Sequence, residues 1–346
     1  MADGPTVAFF GSSLVSSWWN GAATYYRGVI RGLAALGYRV TFYEPIAYER
    51  QEHRDIPDPD WAEVVVYPAG DEGQVRATVE RGRGADVVVK TSGVGVFDDV
   101  LEDAVLQLGG PAATVYWDVD APATLARLEA DRGDPFRGLL PGDGWGARRA
   151  RAFHCLVDPS AYAPTGDPPR WDLGYLGTYG PDRQPVLDRL LVQPARQSPA
   201  ARFVVAGPQY PDDLAWPGNV ERIEHLPPPA HRGFYGAQRF TLNVTRADMV
   251  AAGWSPSVRL FEAAACGVPI ISDWWEGLDR FFRPDTEILV AADAAEVLRI
   301  LAQVDDERRA SIAAAARTRV LAEHTAEHRA AELEAHVAPL LRTRHG

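Results

Sequence analysis

The chain has 346 residues, too many for one ordinary domain and suited to two. Its 46% hydrophobic and 24% charged residues are those of a globular protein, and a net charge of -12 argues against nucleic acid as a partner, because phosphate binding needs a basic surface. Cys155 and Cys266 stand far apart in apolar contexts, and no stretch reads as a signal peptide or a bilayer span. Two buried free thiols, a cytoplasmic location and no stable membrane anchor are therefore expected.

In chain order, Thr6–Gly11 reads as a buried strand and Ala22–Leu36 as an amphipathic helix stopped at Gly37. Val40–Tyr43, Glu63–Tyr67, Asp86–Lys90 and Ala113–Trp117 are further β-rich runs. Helical spacing falls at Gln74–Arg81, Phe97–Leu108 and Ala123–Ala130. Lys90 is the only lysine; arginine carries nearly all the positive charge. Asp131–Arg151 is Gly-, Pro- and Arg-rich with weak periodicity, and Asp158–Pro169 reads as a linker. The alternation then restarts. Strands are expected at Leu173–Leu176, Arg202–Ala206, Val220–Ile223, Phe240–Val244, Pro269–Ser272 and Glu287–Val290. Helices are expected at Pro185–Arg196, Pro256–Cys266 and Ala294–Val304, with a helical tail from Asp306. Such alternation predicts parallel sheets covered on both faces. The expected division is an acceptor domain over 1–165, a donor domain over 166–325, and a helix over 326–346 returning to the first.

The most informative stretch is Trp254-Ser-Pro-Ser-Val-Arg-Leu-Phe-Glu262. Ser255 is a good N-cap, Pro256 fits a first helical turn, and Gly267 with Pro269 ends the helix. The amides of Ser257 and Val258 then lack internal partners, and with the helix dipole behind them they suit a pyrophosphate. Glu262 lies one turn further on the face of Val258, where a carboxylate can take two ribose hydroxyls. An ordinary capped helix, with Glu262 solvated or paired to an arginine, fits the same spacing.

Ser255-Pro-Ser-Val-Arg-Leu-Phe-Glu-Ala-Ala-Ala-Cys-Gly-Val-Pro-Ile-Ile-Ser-Asp273 resembles the donor-site helix of GT-B-fold glycosyltransferases, nearest to the group related to the spore-maturation protein CgeB. Leu173–Gln184, Val204–Tyr210, Val220–Leu226 and Leu242–Arg246 support the resemblance. It implies an α/β protein with two Rossmann-like domains whose parallel sheets face a central cleft. It also implies a nucleoside-diphosphate sugar donor, UDP- or GDP-linked, and no metal or other cofactor. Diphosphate contacts would map to Ser257 and Val258, and the ribose contact to Glu262. Retaining members carry a glutamate beside the transferred sugar, at the position that here is Trp254. That departure leaves the sugar contact and the stereochemistry open.

Other strand ends could join the site. Gly177-Thr178-Tyr179-Gly180 follows the first strand of the second half, where backbone can approach a diphosphate. The resemblance makes Arg183 a phosphate clamp, against a plain solvated arginine; Arg246 and Arg259 are weaker phosphate candidates. It also assigns the loops at Gly207 and His225 to the base. In the first half, Gly21 opens a helix after Phe10–Ser13, but no Gly-x-Gly-x-x-Gly fingerprint is present, which disfavours a nicotinamide dehydrogenase. Asp118 and Asp120 read as a general base or an acceptor contact in preference to a metal pair, with a strand-end turn as the plain alternative. His324 and His328 are expected on a solvated helix face. The expected function is sugar transfer to a hydroxyl of a soluble small molecule or glycan. A nucleotide-sugar-binding protein without transferase activity and a sugar-nucleotide epimerase are the alternatives.

Overall fold

A computed structural model describes residues 4–110, 113–134 and 149–344. The chain divides into one unit of Met1–Phe153 with Ala326–Gly346 and a second of His154–Thr325. Residues 154–165, counted above with the first half, thus lie in the second unit. Most of the Asp131–Arg151 stretch lies outside the described residues.

In the first unit, β1 (Thr6–Phe10), β2 (Arg39–Pro45), β3 (Glu63–Tyr67), β4 (Val87–Thr91) and β5 (Ala113–Trp117) form a sheet of order β3-β2-β1-β4-β5. Every pairing is parallel; Ala8, for example, lies opposite Thr41 and Val88. Both faces are covered, which is why these strands read as continuous apolar runs. α1 (Ala23–Ala35), α2 (Glu72–Arg81), α3 (Asp98–Gln107) and α4 (Ala121–Ala130) supply the cover, joined by the last helix, α13 (Ala326–Arg344), which packs along α1. α2 starts two residues before the expected Gln74, and Asp71 caps it by accepting from the Gln74 amide.

The second unit has the sheet β11-β10-β9-β6-β7-β8, again parallel. Its strands are β6 (Trp171–Leu176), β7 (Phe203–Ala206), β8 (Val220–Ile223), β9 (Gln238–Asn243), β10 (Ile270–Ser272) and β11 (Leu289–Val290). The helices are α5 (Gln184–Leu187), which runs through a π turn at Asp188–Val192 into α6 (Gln193–Gln197), then α7 (Pro228–Gly236), α8 (Ala247–Ala252), α9 (Val258–Ala265), α10 (Leu278–Phe281), α11 (Ala294–Gln303) and α12 (Asp306–Glu323). One apolar cluster joins Leu173, Leu191, Phe203, Leu242 and Val297; another joins Phe261, Trp275, Phe281 and Val320. At ~1.5–3 kcal/mol for each fully buried large apolar side chain, these clusters hold the sheet and helices together.

Chain order reverses at β1/β4 in the first sheet and at β6/β9 in the second. In open α/β sheets that is where the loops beyond the strands' carboxyl ends part to admit a ligand. The Asp158–Pro169 stretch is no free linker: Tyr162 is buried and Arg232 donates to the carbonyls of Ala163 and Pro164. His324 is likewise buried, against Phe261 and Phe281, at the C-cap of α12 where the helix ends before α13.

Lys90 is only 1% exposed, with Nζ 2.6 Å from Asp98 and 2.8 Å from Glu102. Burial pushes the Glu102 carboxyl above its ordinary range, and the Lys90 ammonium opposes that. Lys90→Met is therefore expected to cost about 3–5 kcal/mol by stranding two carboxylates, and adding Glu102→Gln to recover part of it, read from denaturant midpoints.

Candidate functional site

The carboxyl ends of β6, β7 and β9 converge in the second unit. Gly177 follows β6 and Gly207 follows β7, and their backbones touch. A Cβ on Gly207 would lie 2.1 Å from the Gly177 carbonyl oxygen, and its φ of +139° suits only glycine. The Gly177 amide donates to Ala206, its carbonyl accepts from the Tyr210 hydroxyl, and the Tyr179 amide donates to Pro208. Thr178 sits half-buried between these anchors. The two loops are one rigid backbone surface.

α9 begins at Val258, two residues later than expected, with Ser257 rather than Ser255 at the N-cap. Ser257 has extended backbone and its hydroxyl caps nothing, so the first-turn amides of α9 keep no side-chain partner. Arg259 turns inward. Its Nε donates to the Leu176 carbonyl at 2.5 Å, its Nη1 to Asn243 Oδ1 at 2.9 Å, and the guanidinium lies 4.8 Å from the Tyr175 ring centroid. At 8% exposure it is held in place by these bonds to strand ends. Glu262 is also buried and is neither solvated nor bonded to arginine; the Tyr235 hydroxyl donates to its Oε2 at 3.1 Å. Burial beside this carboxylate drives the Tyr235 and Tyr162 phenols well above their ordinary range and the Cys266 thiol up to about 12. Cys266 is buried as expected, whereas Cys155 is half-buried.

The cationic candidates differ. Arg183 precedes α5, with its Nε buried and unbonded beside Gly180. Arg246, at the N-cap of α8, lies 3.9 Å from both Asp182 and Asp248, so its charge is partly answered within the chain. His225, just past β8, is exposed.

In the first unit, Asp118 ends β5 as a turn residue. Its Oδ1 accepts from Ser92 Oγ at 2.8 Å and from the Asp120 amide at 3.0 Å. Asp120 starts α4 without a side-chain cap bond. Gly21 is exposed, and a Cβ there would meet open space. The neighbouring Asn20 is the anchor of that loop, bonded to Ser12, Ser13 and Ser16.

Sequence reading missed the polar group behind α9. Asn243 Nδ2 donates to Ser272 and Thr245, while Asp273 accepts from the Thr245 amide and hydroxyl. Their signal was position: all four follow or end adjacent parallel strands. Burial raises the Asp273 carboxyl above its ordinary 3.8, though the Thr245 bonds oppose that. Also missed was Arg222, held between Tyr210 and Trp216 and bonded to the Val205 and Gly207 carbonyls.

Gly207→Ala is expected to cost about 3 kcal/mol in denaturant melts, against less than about 0.5 kcal/mol for Gly21→Ala. Because the folded Asp273 pKa is raised, the folded state holds its proton more tightly. Its contribution is present below the ordinary Asp value and lost as pH rises through the raised one. Asp273→Asn should therefore flatten that fall and match or exceed the native midpoint near about pH 7.

Residues 183–335 match a family model described as "Glycosyl transferase-like". No curated protein sequence matches. Among solved structures, a sucrose-phosphate synthase from Thermosynechococcus elongatus superposes with a TM-score of 0.73 at 16% identity, over 98% of this chain and 100% of that one. Anabaena HepE in complex with UDP-glucose gives 0.65 at 14% identity, over 98% and 99%. An alpha-glucosyltransferase in complex with UDP-glucose and abasic-site DNA gives 0.67 at 11% identity, over 96% and 99%. The chain thus has the GT-B glycosyltransferase fold, and residues 183–335 carry the match to a glycosyl transferase-like family model.

Proposed function

We propose that this protein is a glycosyltransferase that moves a sugar from a UDP- or GDP-linked donor to an acceptor hydroxyl. The observation that carries the proposal is the uncapped first turn of α9, within the matched residues, beside the Gly177–Gly207 contact near the reversal point of the second sheet. Free amides and a helix dipole stabilise a diphosphate there, and they stabilise it more as charge develops on departure. In this reading Ser257 and Val258 contact the diphosphate through backbone, and Arg183 reaches it from the loop after β6. No metal is required. A carboxylate has about four acceptor positions, of which Tyr235 and Tyr162 fill two, so Glu262 keeps capacity for ribose hydroxyls. The backbone around Gly207 and His225 receives the base. The resemblance of Ser255–Asp273 supports a kinship with the CgeB-related group.

The first unit is assigned the acceptor. Asp118 spends Oδ1 on its own turn, so a general-base role falls to its Oδ2 or to Asp120. Three solved neighbours hold DNA, but a net charge of -12 favours a soluble small molecule or glycan as acceptor here. A cytoplasmic enzyme without a membrane anchor fits, and no described helix is long and apolar enough to cross a membrane.

Calorimetric titration with UDP and GDP tests the donor site. One of the two should bind, and Glu262→Ala should weaken it at least about tenfold, since charged hydrogen bonds contribute about 1.5–3 kcal/mol. If neither binds, the proposal fails. Incubation with donor and an acceptor panel separates transfer from mere binding, and product analysis without acceptor exposes an epimerase.

A further inference from the structure

Trp254 stands in the five-residue turn between α8 and α9, and its backbone is strained. Its φ is +54°, directly after Gly253 at +66°. A bulky side chain in this region costs about 1–3 kcal/mol. Burial does not offset that cost, because Trp254 is 46% exposed. The fold nevertheless fixes the conformation. The Trp254 amide donates to the Glu276 carbonyl at 2.7 Å. The indole lies over Gly277, where a Cβ would come within 2.6 Å of ring atom Cε3, and Gly277 itself has φ +94°. The Arg280 guanidinium stands 5.7 Å from the ring centroid, within cation–π range. Strain, a glycine floor and a cationic side support thus hold a large aromatic surface open to solvent.

Trp254 is four residues before Val258, whose amide opens α9, so its Cα is tethered within about 14 Å of the Val258 Cα at the proposed diphosphate position. We infer that Trp254 is the specificity-determining platform for the transferred group, stacking its indole on the C–H face of a neutral hexosyl ring. This rests on the donor-site reading above and adds what that reading lacks, a contact for the sugar. An indole gives a ring broad apolar contact at low conformational cost, and it discriminates by face shape instead of by hydroxyl bonding.

The test separates sugar from nucleotide. Native protein, Trp254→Ala and Trp254→Phe are titrated with UDP, UDP-glucose, GDP and GDP-mannose. For the pair that binds, Trp254→Ala should leave the nucleoside diphosphate within about twofold, while the sugar nucleotide weakens about threefold to tenfold. Trp254→Phe should restore most of that loss. Equal weakening of both ligands marks a structural turn and overturns the platform, as does no change in either. If native protein binds neither diphosphate, the donor-site reading falls and the platform with it.

Discussion

The second unit depends on one guanidinium. Arg259 ties the carboxyl end of β6, through Leu176, to the end of β9, through Asn243, and rests on Tyr175. These are the two strands between which chain order reverses. Parallel strands leave unpaired carbonyls where they end, and a buried one needs a donor. Arg259 supplies that donor from the first turn of α9, so the helix end cannot shift without breaking strand-end bonds. The position of the free amides is therefore inherited from the sheet.

Behind this contact stands a chain of neutral and acidic groups. Asn243, Thr245, Ser272 and Asp273 satisfy one another without an arginine or lysine partner for Asp273. The Gly177–Gly207 contact does the same task for the loops after β6 and β7 by close backbone approach. Each device fixes backbone at the carboxyl ends of the strands. Trp254 extends the pattern by fixing a side chain in the same way.

Much of the architecture was legible in the sequence because buried parallel strands announce themselves. Runs such as Glu63–Tyr67 and Ala113–Trp117 are dominated by Val, Tyr and Trp, and they form strands over those residues. α7 was not legible, since the run Pro227-Pro228-Pro229 reads as a loop and Gly233 and Gly236 weaken helix propensity, although the prolines sit at its first turn and Phe234 and Tyr235 pack it. The start of α9 was misplaced because Ser255-Pro256 is a good helix opening, yet the chain remains extended to Ser257. In the site, glycine positions and the helix end could be read, whereas side-chain directions could not. Arg259 and Glu262 are polar residues on a helix, which spacing alone leaves facing either water or the core. Both face the core, for they have Leu176, Asn243 and Tyr235 to bond.

The burial of Lys90 has a consequence outside the fold. It is the chain's sole lysine, and it is enclosed by Asp98, Glu102 and Tyr116. An arginine-studded surface therefore offers no side-chain amine to acylating reagents or amine crosslinkers. A reagent that modifies Lys90 reports opening of the first sheet, so one residue serves as a native chemical sensor of that unit's integrity.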